Sequence, residues 1–139
     1  MKPKKSKLPA QSDSGIKKAE VKPPLLKFSF RLFDASDDEA CPAPFKEGYV
    51  QALMERLKSL SGWTVKEFAT PQGRAVRNHT IDWSDTARPE GFSHLNEQLR
   101  AYEAHQFSVS ANLWGRVHGI LIDDTFHVVW LDQNHVVYP

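Results

Sequence analysis

The residues best suited to chemistry crowd towards the C-terminus: Arg116, His118, His127, His135 and Tyr138 all fall within the last 24 of 139 residues. Histidine titrates near neutrality, so two imidazoles can divide the roles of acid and base, and arginine offers a planar fork to a phosphate. These types together suit RNA cleavage by attack of the ribose 2′-hydroxyl. That reaction needs a base for the hydroxyl proton, an acid for the leaving oxygen and a cation for the charged phosphate. A positioned acid or base contributes roughly a hundred- to ten-thousandfold in rate, so such a site calls for no metal and no cofactor. Metal binding is the rival chemistry, with His79, Asp82, His118, His127, Asp132 and His135 as ligand types, but the chain has no H-E-x-x-H pair and no Cys-x-x-Cys element. It also lacks a G-x-x-x-x-G-K-[ST] loop, a G-x-G-x-x-G turn and a G-x-S-x-G elbow, which argues against nucleotide hydrolysis and serine-hydrolase chemistry.

A hairpin must position these groups. Two apolar strands meet at Asp123-Asp124-Thr125. If the loop has two residues, whether Asp123-Asp124 or Asp124-Thr125, alternation puts Val117, Gly119, Leu121, Phe126, Val128 and Trp130 on a core face. Arg116, His118, Ile120, Ile122, His127, Val129 and Leu131 then share the other face. A three-residue loop would part His118 from His127. Asp132-Gln133-Asn134-His135 also reads as a turn, because Asp and Asn make local hydrogen bonds to the backbone.

The preceding elements follow from periodicity. Residues 27–34 alternate Phe28, Phe30 and Leu32 with Ser29, Arg31 and Phe33, the pattern of a half-buried strand. Phe45, Tyr49, Leu53, Leu57 and Leu60 recur at helical spacing until Ser61-Gly62. Thr64 and Glu67 form a capping-box pattern before a short turn of helix, which Pro71-Gln72-Gly73 stops. Residues 74–83 read as a short strand or extended loop. Phe92, Leu95, Leu99 and Tyr102 predict a second amphipathic helix capped by Ser93. Phe107, Val109, Ala111 and Leu113 alternate with Ser108, Ser110 and Asn112. The expectation is an α+β fold: an antiparallel sheet with a C-terminal three-stranded meander packed against two amphipathic helices.

Composition bounds the setting. With 40% hydrophobic and 25% charged residues, the chain suits one globular domain, assigned to residues 25–139. Residues 1–24 carry seven Lys against Asp13 and Glu20, a balance of +5 that leaves −4 on the remainder of a +1 chain. With few large apolar residues, this stretch reads as a disordered basic tail, either a solubilising leader or an electrostatic arm for nucleic acid. Lys4, Lys5, Lys17 and Lys18, with Arg77 and His79, are the candidate nucleic-acid contacts. His94 and His105, near the ends of the second expected helix, read as structural. A single cysteine, Cys41, permits no internal disulfide and fits a cytoplasmic setting, and no apolar run approaches the roughly 18 residues of a membrane span.

Arg116-Val117, Ile122-Asp123-Asp124, Val128-Val129 and His135-Val136-Val137-Tyr138 together resemble the closing segment of the RelE/ParE-like toxin superfamily. In that segment an Arg-Val strand, an Asp-rich turn, a second apolar strand and a basic residue before a near-terminal Tyr recur in this order. The resemblance covers about the last 25 residues. It implies a small bacterial toxin paired with an antitoxin protein, which in the RelE-like branch cleaves ribosome-bound mRNA without metal and in the ParE-like branch poisons gyrase. It also implies that Arg116 holds phosphate and that His135 stands where a basic residue precedes the aromatic. Tyr138 is by the same resemblance the aromatic that takes part in proton transfer. His118 and His127 rest on the face pattern alone. The chain departs from the family in its longer 74–91 connection, in lacking lysine-rich first helices, and in the −4 balance of its folded part. Three readings follow: a metal-independent endoribonuclease toxin, a non-catalytic protein- or nucleic-acid-binding module, and a different enzyme, with or without a metal, centred on His79 and Asp82.

Overall fold

The computed structural model describes residues 22–73, 76–111 and 113–138. The candidate contacts Lys4, Lys5, Lys17 and Lys18 therefore lie outside the described residues, as does the tail apart from residues 22–24. At its end the Pro24 carbonyl accepts from the Val65 amide.

Five strands form one sheet in the order β1-β5-β4-β3-β2, with β1 at Lys27–Ser29, β2 at His79–Thr80, β3 at Ala104–Ser108, β4 at Arg116–Ile122 and β5 at Thr125–Asp132. The last three make the expected antiparallel meander. The sheet is mixed, however, because β1 runs parallel to β5, with Phe28 opposite Phe126. Alternation along residues 27–34 indicates which side chains share a face but not which way the strand runs. Only its first three residues pair, since the chain turns away at Arg31 and Leu32.

Helix α1, Tyr49–Leu60, buries Tyr49, Leu53, Leu57 and Leu60. It begins after Gly48 in a left-handed conformation (φ 88°), and Phe45 lies before it, stacked on Tyr49 at 4.8 Å. Helix α2, Val65–Ala69, forms behind the expected capping box: the Thr64 amide donates to Glu67 Oε1 at 2.8 Å, and the Glu67 amide to Thr64 Oγ1 at 3.0 Å. It presents Phe68 edge-on to Phe107 and Phe126, the centre of one sheet face. The helix expected across residues 92–102 shrinks to α3, Glu97–Arg100, capped by Asn96 rather than Ser93. Phe92 and Leu95 lie ahead of it in turns, and Phe92 packs edge-on against Trp83 and Trp130. Helical spacing over so few residues is matched by a looped segment whose aromatic residues meet the sheet.

The hairpin loop is Asp123-Asp124, with Ile122 opposite Thr125. The faces then hold as far as Val128, where a β-bulge changes the count: His118 pairs with Trp130 but Gly119 with Val128. Val129 is the extra residue. Trp130 is thereby moved to the face of Arg116, His118 and His127, and Leu131 joins Val117 on the opposite one, the reverse of the simple alternation. The Trp130 face is no solvent surface. Trp130 is buried under Trp83 and Phe92, lies beneath the Arg88 guanidinium at 4.8 Å, and donates from Nε1 to Asp34 at 3.1 Å. Arg88 also clamps Asp37, whose carboxyl it holds down at about 2.

Among the described residues no helix is long and apolar enough to cross a membrane. Two substitutions test this packing. Trp130→Ala should cost roughly 3–5 kcal/mol in a denaturant titration, since it removes the centre of the second aromatic layer. Gly119→Ala should cost at least roughly 1–3 kcal/mol, because its Cβ would lie 2.2 Å from the His127 carbonyl and 2.6 Å from the Phe126 ring.

Candidate functional site

On the Trp130 face, polar side chains line up in two adjacent rows across the sheet. Register puts His79, Gln106, His118 and Trp130 in one row and Ser108, Arg116 and Asp132 in the next. Gln106, Ser108, His118 and Asp132 are each at most 1% exposed.

Asp132 anchors the site from below. Its two oxygens accept from the Val136 amide at 2.9 Å and the Val137 amide at 2.8 Å, which closes the turn carrying His135. Oδ2 also lies 3.6 Å from His118 Nε2, an ion-pair rather than a hydrogen-bond distance. Burial pushes the Asp132 carboxyl up, but His118 and the two amides outweigh it and leave it lowered. Burial pushes the His118 imidazole down, with Asp132 only partly opposing. The pair is thus a carboxylate beside a neutral imidazole, sealed from solvent.

Above it opens a cleft of about 140 Å³ bordered by Arg77, Ser108, Ser110, Arg116 and His135. Among the described residues no carboxylate lines it, and neither guanidinium has a hydrogen-bond or ion-pair partner. Burial, and then the charge of Arg77, push the Arg116 guanidinium down from its ordinary value. A guanidinium stays protonated regardless, so the cleft holds two cations, and the charge of Asp132, which pairs with Arg116 across the strands but does not line the cleft, opposes part of their repulsion. Ser108 Oγ, itself buried, has no partner either. Arg77, Trp114 and His135 all adopt left-handed backbone conformations, at φ 52°, 72° and 56°. Gly115 beside them (φ 68°) has no room for a side chain, since a Cβ would lie 1.9 Å from the Asp132 carbonyl oxygen.

The sequence-derived candidates separate accordingly. Arg116, His135 and Arg77 share the cleft, whereas Tyr138 does not line it. Tyr138 meets the His79 ring edge-on at 6.4 Å. Both His79 ring nitrogens are engaged. Nδ1 lies 2.8 Å from the Thr80 carbonyl, which can only accept, so Nε2 accepts from Gln106 Nε2 at 3.1 Å. His118 lies under the cleft with no exposed surface. His127 shares its face but pairs with Ile120, four residues along β4 from Arg116, roughly 13 Å at the rise of a strand. It is buried, and burial lowers its imidazole. Asp82 is occupied in capping the turn at Trp83–Asp85, accepting from the Ser84 amide and hydroxyl. Among the described residues no three His, Cys, Asp or Glu side chains are grouped to hold a metal.

Ser108 and Gln106 were not among the sequence candidates. Their signal was the polar side of an alternating strand, which ordinarily means solvent. The chain matches no family model, no curated protein and no solved structure.

Folding stability should fall as pH drops below about 6.5, the ordinary histidine value. His118, His105 and His127 all have lowered imidazoles in the fold, so the unfolded chain binds their protons first. Denaturant midpoints between pH 7.5 and 5 should show this slope, and His118→Gln should flatten it. Asp132→Asn, which leaves one acceptor oxygen for two amides, should cost roughly 3–5 kcal/mol at pH 7.

Proposed function

We propose that this chain acts on RNA as a metal-independent, toxin-like endoribonuclease. In this reading a backbone phosphate lies between Arg77 and Arg116, and His135 and Tyr138 share the proton transfers. The observation that carries the reading is the cleft itself, where, among the described residues, two guanidinium groups without a hydrogen-bond or ion-pair partner border one small space. A phosphate supplies both the missing negative charge and the acceptors. The 2′-oxygen forms the new bond to phosphorus and gives up its proton, the bond to the 5′-oxygen breaks, and that oxygen takes a proton. The products are a 2′,3′-cyclic phosphate and a 5′-hydroxyl end. The resemblance of the Arg116 to Tyr138 segment to RelE/ParE-like toxins supports the same roles, and with them an antitoxin partner, a ribosomal setting and a cytoplasmic location.

One observation favours a second reading. Of the three imidazoles near the cleft, His79 is fully engaged and His118 is sealed, which leaves His135 alone at its rim. A module that grips RNA without cutting it, or a gyrase-directed toxin of the ParE-like kind, needs no second titrating group.

Expressed alone, the protein should arrest bacterial growth, and the purified chain should cut RNA in the presence of a chelator. Arg116→Ala and His135→Ala should each slow cleavage roughly a hundred- to ten-thousandfold without shifting the thermal midpoint appreciably. His127→Ala should leave the rate unchanged. RNA binding without cleavage, with a salt dependence about one unit shallower in Arg116→Ala, would instead establish the binding module.

A further inference from the structure

Arg77 has a second side. Beyond it lies another cleft, of about 270 Å³, bordered by Pro71, Gly73, Asn78 and His79 and mostly apolar in its surface. It is a built feature. Asn78, 1% exposed, donates to the Phe68 and Thr70 carbonyls at 2.7 and 2.9 Å and accepts from the Gln72 amide at 2.9 Å, which pins the chain on either side of Pro71. The Gln106 and Thr80 contacts fix the plane of the His79 ring. At Gly73 a Cβ would meet no atom of the described residues within 4 Å, its chain neighbours aside.

We infer that this cleft receives a nucleobase of the strand whose phosphate lies between Arg77 and Arg116, so that the chain recognises single-stranded rather than duplex RNA. The inference rests on the phosphate reading of the neighbouring cleft. Arg77 borders both spaces, so a ligand with an anionic and a flat apolar part in immediate succession fits them as one site. A nucleotide has that constitution, and a base is free to leave its stack only in a single strand. A fixed imidazole, a proline ring and a guanidinium plane are the surfaces on which bases stack without regard to sequence.

The test compares three labelled probes on the full chain with a chelator present: a single-stranded RNA octamer made uncleavable with 2′-O-methyl sugars, its abasic counterpart and its duplex. The unmodified-base single strand should bind the wild-type chain at least fivefold more tightly than either of the others. His79→Ala should weaken that probe roughly five- to hundredfold, leave the abasic strand unchanged, and be rescued by His79→Phe, which keeps a flat ring but not the Gln106 bond. Arg116→Ala should weaken all three. Equal binding of normal and abasic strands by the wild type, with Arg116→Ala still weakening both, would overturn the base cleft and leave the phosphate reading standing. Binding that is indifferent to Arg116→Ala would overturn both.

Discussion

The buried carboxylate of Asp132 is the constraint on which the site depends. It stands at the end of β5, opposite Arg116, and its two oxygens fix the Val136 and Val137 amides and thereby the turn that presents His135. A charged group with no exposed surface is costly unless its hydrogen-bonding capacity is used. Here two backbone donors use it and His118 stands beside it. The chain must also pass close by: Gly115 lies against the Asp132 carbonyl with no room for a side chain. The backbone leading into Arg116 and the turn leading to Tyr138 are thus tied to one residue.

This dependence explains how much could be read from the sequence. The meander, α1 and the capping box of α2 follow from local periodicity and local hydrogen bonds, and each was legible. So was the sharing of one face by Arg116, His118 and His127, because the two-residue loop fixes register at the near end of the hairpin. What failed was non-local. The bulge at Val129 is an extra residue in an apolar run that carries no glycine or proline of its own; the glycine at the shift, Gly119, lies in the partner strand. The direction of β1 is set by a partner about a hundred residues away. The irregular cover over Trp130 imitated a helix because Phe92, Leu95 and Leu99 have helical spacing while only Glu97–Arg100 is helical. For the candidate cleft, residue type singled out Arg77, Arg116 and His135, which the fold brings together, but not the burial that sets His118 apart from them.

Charge acts differently at long and short range. The part of the chain after residue 24 carries −4, which repels a polyanion at a distance. Salt screens that repulsion over about 8 Å under physiological conditions. The cleft is bordered by two guanidinium groups, with Asp132 paired opposite Arg116 and already engaged by two backbone amides. Local arrangement thus determines what the cleft can hold, while the net balance governs how fast a strand arrives. On the proposed reading the seven tail lysines would matter for approach rather than for grip.

Backbone strain points to the same place. Of the four non-glycine residues with left-handed backbone among the described residues, one, Asp123, sits in the hairpin loop, where such geometry is routine. The other three are Arg77, Trp114 and His135, and all lie at or beside the cleft. Each costs about 1–2 kcal/mol, together roughly 3–6 kcal/mol against a typical domain stability of roughly 5–15 kcal/mol. Trp114 belongs to the loop that joins β3 to β4, and His135 to the turn that Asp132 closes, so part of that concentration follows from the chain turning there. On the proposed reading, a cleft that holds two like charges in place before any ligand arrives would use the rest. Were the arginines free to swing apart into solvent they would do so, and a bound anion would then have to offset the ordering of both side chains as well as their repulsion. On the proposed reading, the fixed backbone at Arg77 and His135 would meet part of that cost during folding, and the Asp132 turn and the left-handed loops would act as one pre-organised frame.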